Sequence, residues 1–258
     1  MAQTATTQRG PVTATAPKAP KKRPFLVDLY STAVGKKYAM AISGIAMMGF
    51  VLFHMIGNLK MYQGRDDLNN YAHFLQTLLY PLAPKGAVLW ILRSGLVAML
   101  LLHVHAAWSL TVLNRRARPV RYQSARDYQI ATFASRTMRL SGLVVAAFLV
   151  WHLADLTFGT VNDHVGTMVD SGHGEKVKDV YGSVVASFER TPMAVFYIAA
   201  NLLLGLHLFH GAWSLFQSIG WNNPRFNRWR RSFAAGFAGV VVLGNVSFPV
   251  AVMAGIVG

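Results

Sequence analysis

The chain of 258 residues contains no cysteine. Disulfides, covalent c-type haem attachment and cysteine-held iron–sulfur clusters are therefore excluded within it. Charge is scarce too: 14% of the residues are Asp, Glu, Lys or Arg, against about 25% in ordinary soluble domains. Acids are the scarcer sign, 10 against 25 Lys and Arg. No Gly-rich dinucleotide fingerprint follows a predicted strand. The nearest string, GHGEKV at 172–177, lacks the last glycine and lies in a polar segment.

The missing charge is missing from particular places. Five nearly charge-free runs occupy residues 38–59, 87–113, 140–158, 193–219 and 233–257. Runs of roughly 17–25 apolar residues are the length that crosses a ~30 Å hydrocarbon core. A soluble helical protein would carry polar faces on most of its helices, and these runs have almost none. The pattern predicts an all-α, integral membrane bundle of five transmembrane helices.

The net charge of +15 invites a nucleic-acid reading until the charges are placed. Residues 1–37, 114–139 and 220–232 hold 18 of the 25 Lys and Arg, with Asp28 and Asp127 as their only acids. Alternate loops are thus basic and acidic, the positive-inside pattern. It sets the N-terminus on the cytoplasmic side and the C-terminus outside. The basic charge orients the chain in the lipid bilayer, and no nucleic-acid partner is expected.

Residues 1–24 carry Ala, Thr, Pro, Gln, Lys and Arg without an acid or an apolar core, so residues 1–35 are expected to form a disordered basic cytoplasmic arm before a membrane domain at 36–258. A transit peptide shares that composition. A short interfacial helix is predicted around Tyr71–Leu79, closed by Pro81 and Pro84. An amphipathic piece is predicted near Val177–Phe188. The basic segment 114–129 reads as topology and headgroup contact, or as a dock for a soluble partner.

Histidine is what the apolar runs do contain. His73, His164 and His173 fall in aqueous segments, whereas His54, His103, His105, His152, His207 and His210 lie within four successive spans. An ionisable side chain at membrane depth is costly, by ~2.5–3.5 kcal/mol for the strongly charged residues and less for neutral imidazole. A single case would read as a hydrogen-bonded core residue. At least one in each of four spans, with none in the fifth, points to haem, because neutral imidazoles from two helices supply the axial ligands of b-type haem iron.

Depth divides them into two layers. At 1.5 Å per residue, His54 lies ~25 Å beyond Lys37 and His152 ~20 Å beyond Arg139, while His105 lies ~15 Å before Arg115 and His207 or His210 stands at a similar depth. His54 and His152 thus form an outer layer, and His105 with His207 or His210 an inner one. Each layer predicts one haem, and the two together an electron path. Two near-repeats, LLHVHAAWSL at 101–110 and LHLFHGAWSL at 206–215, align His105 with His210. His207 and His210 share a helix face, so spacing does not choose between them. Ser43-Gly44 and Ser141-Gly142 each precede a span histidine, His54 or His152, by ten residues counted from the glycine. Small residues of this kind let helices or a flat ligand approach the backbone closely.

With FVLFHMIGN, YAHFL, SRTMRLSG followed by FLVWHL, and HLFHGAWSLFQSIG, residues 36–256 resemble the di-haem cytochrome b membrane anchor of succinate dehydrogenase and fumarate reductase, single-subunit type with five helices. The resemblance implies axial pairs His54/His152 and His105/His207, with His210 left near a haem propionate. It implies electron transfer between an iron–sulfur subunit and quinone, with menaquinone the usual acceptor for di-haem anchors. FAD and the iron–sulfur clusters would then belong to partner subunits on the cytoplasmic face, where succinate is oxidised. A bacterial plasma membrane and a higher oligomer of the complex go with it.

Arg136 and Arg139 at the start of span three are candidates for the inner propionates, and Arg93, expected to be buried near the outer end of span two, for the outer ones. Asp155, one turn after His152, is a candidate for quinol proton exchange or a helix-end cap. No catalytic residue is assigned. Other di-haem quinone cytochromes, and a transporter relaying protons through histidines, are the competing classes.

Overall fold

The computed structural model describes residues 24–117, 133–170, 176–221 and 223–258, with backbone alone at 133–136. The expectations for residues 1–23, most of the basic segment 114–129 and the Arg136 side chain lie outside the described residues. Among the described residues eight α-helices follow one another: α1 Phe25–Ser31, α2 Ala33–Asn58, α3 Arg65–Thr77, α4 Ala87–Arg116, α5 Phe133–Leu156, α6 Val180–Phe188, α7 Thr191–Ser218 and α8 Asn227–Met253. A two-stranded antiparallel hairpin, β1 Met168–Asp170 and β2 Lys176–Lys178, precedes α6 and pairs Val169 with Val177.

α2, α4, α5, α7 and α8 are the five long apolar helices, and they coincide with the five predicted runs. Their side chains stay largely uncovered: Ile91 is 72% and Leu243 74% exposed. So continuous an apolar surface is compatible with lipid and not with water. The chain is a multi-pass membrane protein.

Two starts show how local chemistry sets the helix ends. The Thr32 hydroxyl accepts from the Gly35 amide at 2.9 Å, capping α2 and separating it from α1. At Gly35 a Cβ would lie 1.9 Å from the Leu29 carbonyl oxygen, so the corner admits only glycine. Residues 25–31, expected to belong to the disordered arm, are therefore helical, and α1 packs on α2. The predicted interfacial helix is longer than expected and begins at Arg65.

α7 is the spine. Its buried positions Ala194, Ala200, Gly205 and Ala212 are small, and α8 meets them with Ala234, Ala238 and Val241. Small residues let membrane helices approach closely enough for dispersion to hold them. α5 packs on the other side of α7, and α2 bridges to α7 and α8. α4 packs chiefly on α2 and shares no substantial contact with α5 among the described residues.

One end of the bundle is capped. α3, the hairpin and α6 gather over it around Met55, Met61, Leu68, Val185, Phe188, Phe248 and Val257. The opposite end carries Arg115, Arg116, Arg225, Arg228 and Arg231. Arg230 is set apart from these. It is buried and donates to the Trp221 carbonyl and to Asn227 Oδ1, closing the α7–α8 connection.

Candidate functional site: paired membrane histidines

Nearer the capped end, α2 and α5 bring His54 and His152 together, with ring centroids 6.1 Å apart and planes at 86°. Phe50 stacks on His54 at 5.3 Å, and Phe148 and Tyr197 flank His152 at 5.8 and 6.0 Å. Two imidazoles binding one metal from opposite sides, with metal–nitrogen bonds of ~2.0–2.1 Å, place their centroids ~6 Å apart. The observed spacing fits such a pair.

Nearer the basic end the pair differs from the one expected. His103, not His105, faces α2: its Nδ1 lies 3.1 Å from Ser43 Oγ and 3.2 Å from the Met40 carbonyl oxygen. His207 sits on α5 in the same manner, Nδ1 3.4 Å from Ser141 Oγ. His103 and His207 are near enough to interact electrostatically. The glycines explain the close seating. A Cβ at Gly44 would lie 3.6 Å from His103 Cε1, and one at Gly142 3.1 Å from His207 Cε1. The Ser-Gly pairs of spans one and three thus seat the imidazoles of spans two and four, a relation across helices that spacing along one helix does not display.

His105 is occupied elsewhere. Its Nδ1 is 2.6 Å from the Tyr30 hydroxyl and its ring stacks on Tyr30, tying α1 to α4. Two residues from His103, it points ~200° away around the helix. His210 has a buried Nδ1 without a hydrogen-bond partner, as do Trp213 Nε1 three residues on and His152 Nδ1. Buried polar atoms are normally paired.

Arg93, expected to be buried, is exposed and lies over the Trp90 ring at 5.5 Å. Arg139 is exposed on α5 at the basic end.

Asp155 is enclosed, with 0% exposure. Oδ1 accepts from Arg190 at 2.8 Å, and Oδ2 from Ser187 at 2.5 Å and Tyr197 at 2.9 Å. Both oxygens are committed, so Asp155 clamps α5 to α6 and α7.

A second buried carboxylate, missed by the sequence reading, organises the cap. Asp179 accepts from Arg65 at 2.7 and 3.1 Å, Asn69 at 3.0 Å, His164 at 2.8 Å and the Gly182 amide at 3.0 Å. Burial alone would raise its pKa, but the hydrogen bonds from His164, Asn69, Arg65 and Gly182 outweigh it and hold the carboxyl well below the usual range. It lies in a polar loop with nothing in its spacing to mark it.

Among the described residues no group of three or more His, Cys, Asp or Glu could hold a metal ion. A protein-only transition-metal site needs at least three such ligands. Iron already held by a porphyrin needs one or two, and histidine pairs supply that number.

Five membrane helices with histidines brought together between them define a multi-pass membrane protein. The family model described as succinate dehydrogenase/fumarate reductase transmembrane subunit matches residues 113–246. The chain belongs to that family, a membrane subunit of the succinate dehydrogenase/fumarate reductase complexes. No curated protein and no solved structure matches it. The match includes His152, His207 and His210 but stops short of α2 and most of α4.

Proposed function

We propose that this chain is the di-haem, quinone-reactive anchor of a succinate:quinone oxidoreductase. The 6.1 Å spacing of His54 and His152 carries the reading, and the matched seats of His103 and His207 extend it to a second site. The residues that would hold the two haems are then His54 with His152 and His103 with His207, with His103 in the place first expected of His105. Bound haem iron would supply one-electron transfer along the bundle, between an iron–sulfur subunit and quinone, by resemblance menaquinone. The histidines would hold that iron, and the apolar helices would exclude water from it. His210 Nδ1 and Trp213 Nε1, buried donors on one face of α7, suit a porphyrin carboxylate near the basic end. That end would face the cytoplasm, with the iron–sulfur and FAD-bearing subunits docked on it.

The test is haem stoichiometry. Difference spectra and a pyridine haemochrome assay on the purified complex should give two b haems per chain. His54→Ala or His152→Ala should remove one, and His103→Ala or His207→Ala the other. His105→Ala should keep both. Loss with His105→Ala and retention with His103→Ala would return the ligand to His105, and a wild-type chain without haem would overturn the function itself.

A further inference from the structure

We propose that Ser43 and Ser141 are positioning residues that accept from Nδ1 of His103 and His207 and orient each ring so that it presents Nε2 to iron. The inference rests on the di-haem reading above and adds to it the residues behind the ligands.

The hydrogen-bond directions decide the tautomer. Ser43 Oγ donates to the Ala39 carbonyl at 2.7 Å and also meets the Met40 carbonyl at 3.2 Å, so its one proton is spent on its own helix. Its lone pairs face His103 Nδ1 at 3.1 Å, and the Met40 carbonyl faces the same nitrogen at 3.2 Å. A carbonyl only accepts, so Nδ1 must carry the hydrogen. Nε2 is then the nitrogen with the free lone pair, the form a metal binds. The second seat repeats the first. Ser141 Oγ donates to the Met138 carbonyl at 3.0 Å and turns a lone pair toward His207 Nδ1 at 3.4 Å. Both seats read Met-x-x-Ser-Gly, MAISG at 40–44 and MRLSG at 138–142, and the glycine lets each ring lie flush against the backbone.

His152 is the contrast: its buried Nδ1 has no partner. The pair nearer the basic end therefore has outer hydrogen bonding that His152 lacks. Such partners orient a ligating histidine and make it a stronger donor, which stabilises the oxidised iron. Removing the serine hydroxyl weakens that donation.

In the assembled complex, Ser43→Ala and Ser141→Ala should each raise the midpoint potential of the same haem and change its low-temperature EPR g values. The other haem should be unmoved. Ser43→Thr and Ser141→Thr, which restore a hydroxyl, should return both signals toward wild type. If an alanine variant loses that haem while its threonine counterpart keeps it, the hydroxyl is needed and the proposal stands. Unchanged potentials and g values in all four variants would overturn it. Loss of haem in alanine and threonine variants alike would overturn it too, since packing rather than the hydroxyl would then be at work. Absence of haem from the wild-type complex overturns the di-haem reading itself, so the two failures are distinguishable.

Discussion

Asp179 shows how much a single polar residue outside the bilayer holds. Its carboxylate gathers α3 through Arg65 and Asn69, the connecting loop through His164, and the first turn of α6 through the Gly182 amide. Asn69 in turn accepts from the Tyr181 amide at 3.0 Å. Arg65 is 51% exposed, so water screens part of the ion pair. The buried donors left unpaired on deletion cost about 1–3 kcal/mol, and Asp179→Ala should lower the thermal midpoint in detergent accordingly. The pH dependence follows from the depressed pKa. The folded state binds this proton less readily than the unfolded state does, so the stabilisation is complete above the ordinary aspartate pKa of ~3.9. It is lost as the pH falls below that value toward the lower folded one. Wild type should therefore lose stability below pH ~4 more steeply than Asp179→Asn. Parallel acid limbs would remove Asp179 from this role. The membrane histidines proposed as ligands teach the other lesson about single residues. Their presence in four spans was legible, because imidazole stands out in apolar sequence. The choice between His103 and His105 was not. The tryptophan used to align the repeats stands five residues after His103 but six after His207, so the two spans share a motif and not a phase. What favours His103 in the proposed pairing is its contact with Ser43 on another helix.

The elements were the most legible part. A span announces itself by length and lack of charge, and α2, α4, α5, α7 and α8 each overlap their predicted run. α1 and the hairpin were not anticipated. α1 has only seven residues and is held by a corner and by Tyr30 on His105, neither of which leaves a periodic trace. The short strands pair only with each other. How tightly the long helices approach was legible only in outline, as small residues without a named partner. Gly205 now has one: a Cβ there would lie 2.3 Å from Val242 Cγ2 across the α7–α8 seam. Overpacking of this kind costs about 1–3 kcal/mol, more than the ~1 kcal/mol gained by replacing glycine with alanine in a helix. Gly239 on α8 meets nothing within 4 Å at the same test. Gly205→Ala should therefore lower the thermal midpoint of the detergent-solubilised protein while Gly239→Ala leaves it unchanged or raises it. Equal shifts in the two variants would mean that the seam is looser than described.

Across the whole molecule, charge and cap divide the bundle into unlike ends. The capped end spends its ionic groups internally, Arg190 on Asp155 and Arg65 on Asp179. At the other end Arg115 and Arg116 close α4, and Arg225, Arg228 and Arg231 stand exposed at the start of α8. Arg230, turned inward on Trp221 and Asn227, stabilises that connection and adds nothing to the face. As a family member the chain works in a complex with other subunits, and this end presents a cluster of exposed arginines that would suit an acidic soluble surface. Complementary charge of this kind governs encounter and orientation more than affinity, and salt screens it. Reversing Arg115 and Arg116 to Glu, or Arg228 and Arg231 to Glu, should reduce recovery of the soluble subunits with this chain and slow reassembly most at low ionic strength. Haem content should be unaffected, because none of the four side chains is assigned to the histidine pairs. Reversal at Arg65 would not serve as a control, since it breaks the cap; Lys60, at the capped end and close to Gln63 at 3.3 Å, is the neutral choice. If Lys60→Glu impairs assembly as much as the basic-end reversals, or if those reversals leave assembly intact at every salt concentration, the soluble subunits dock elsewhere.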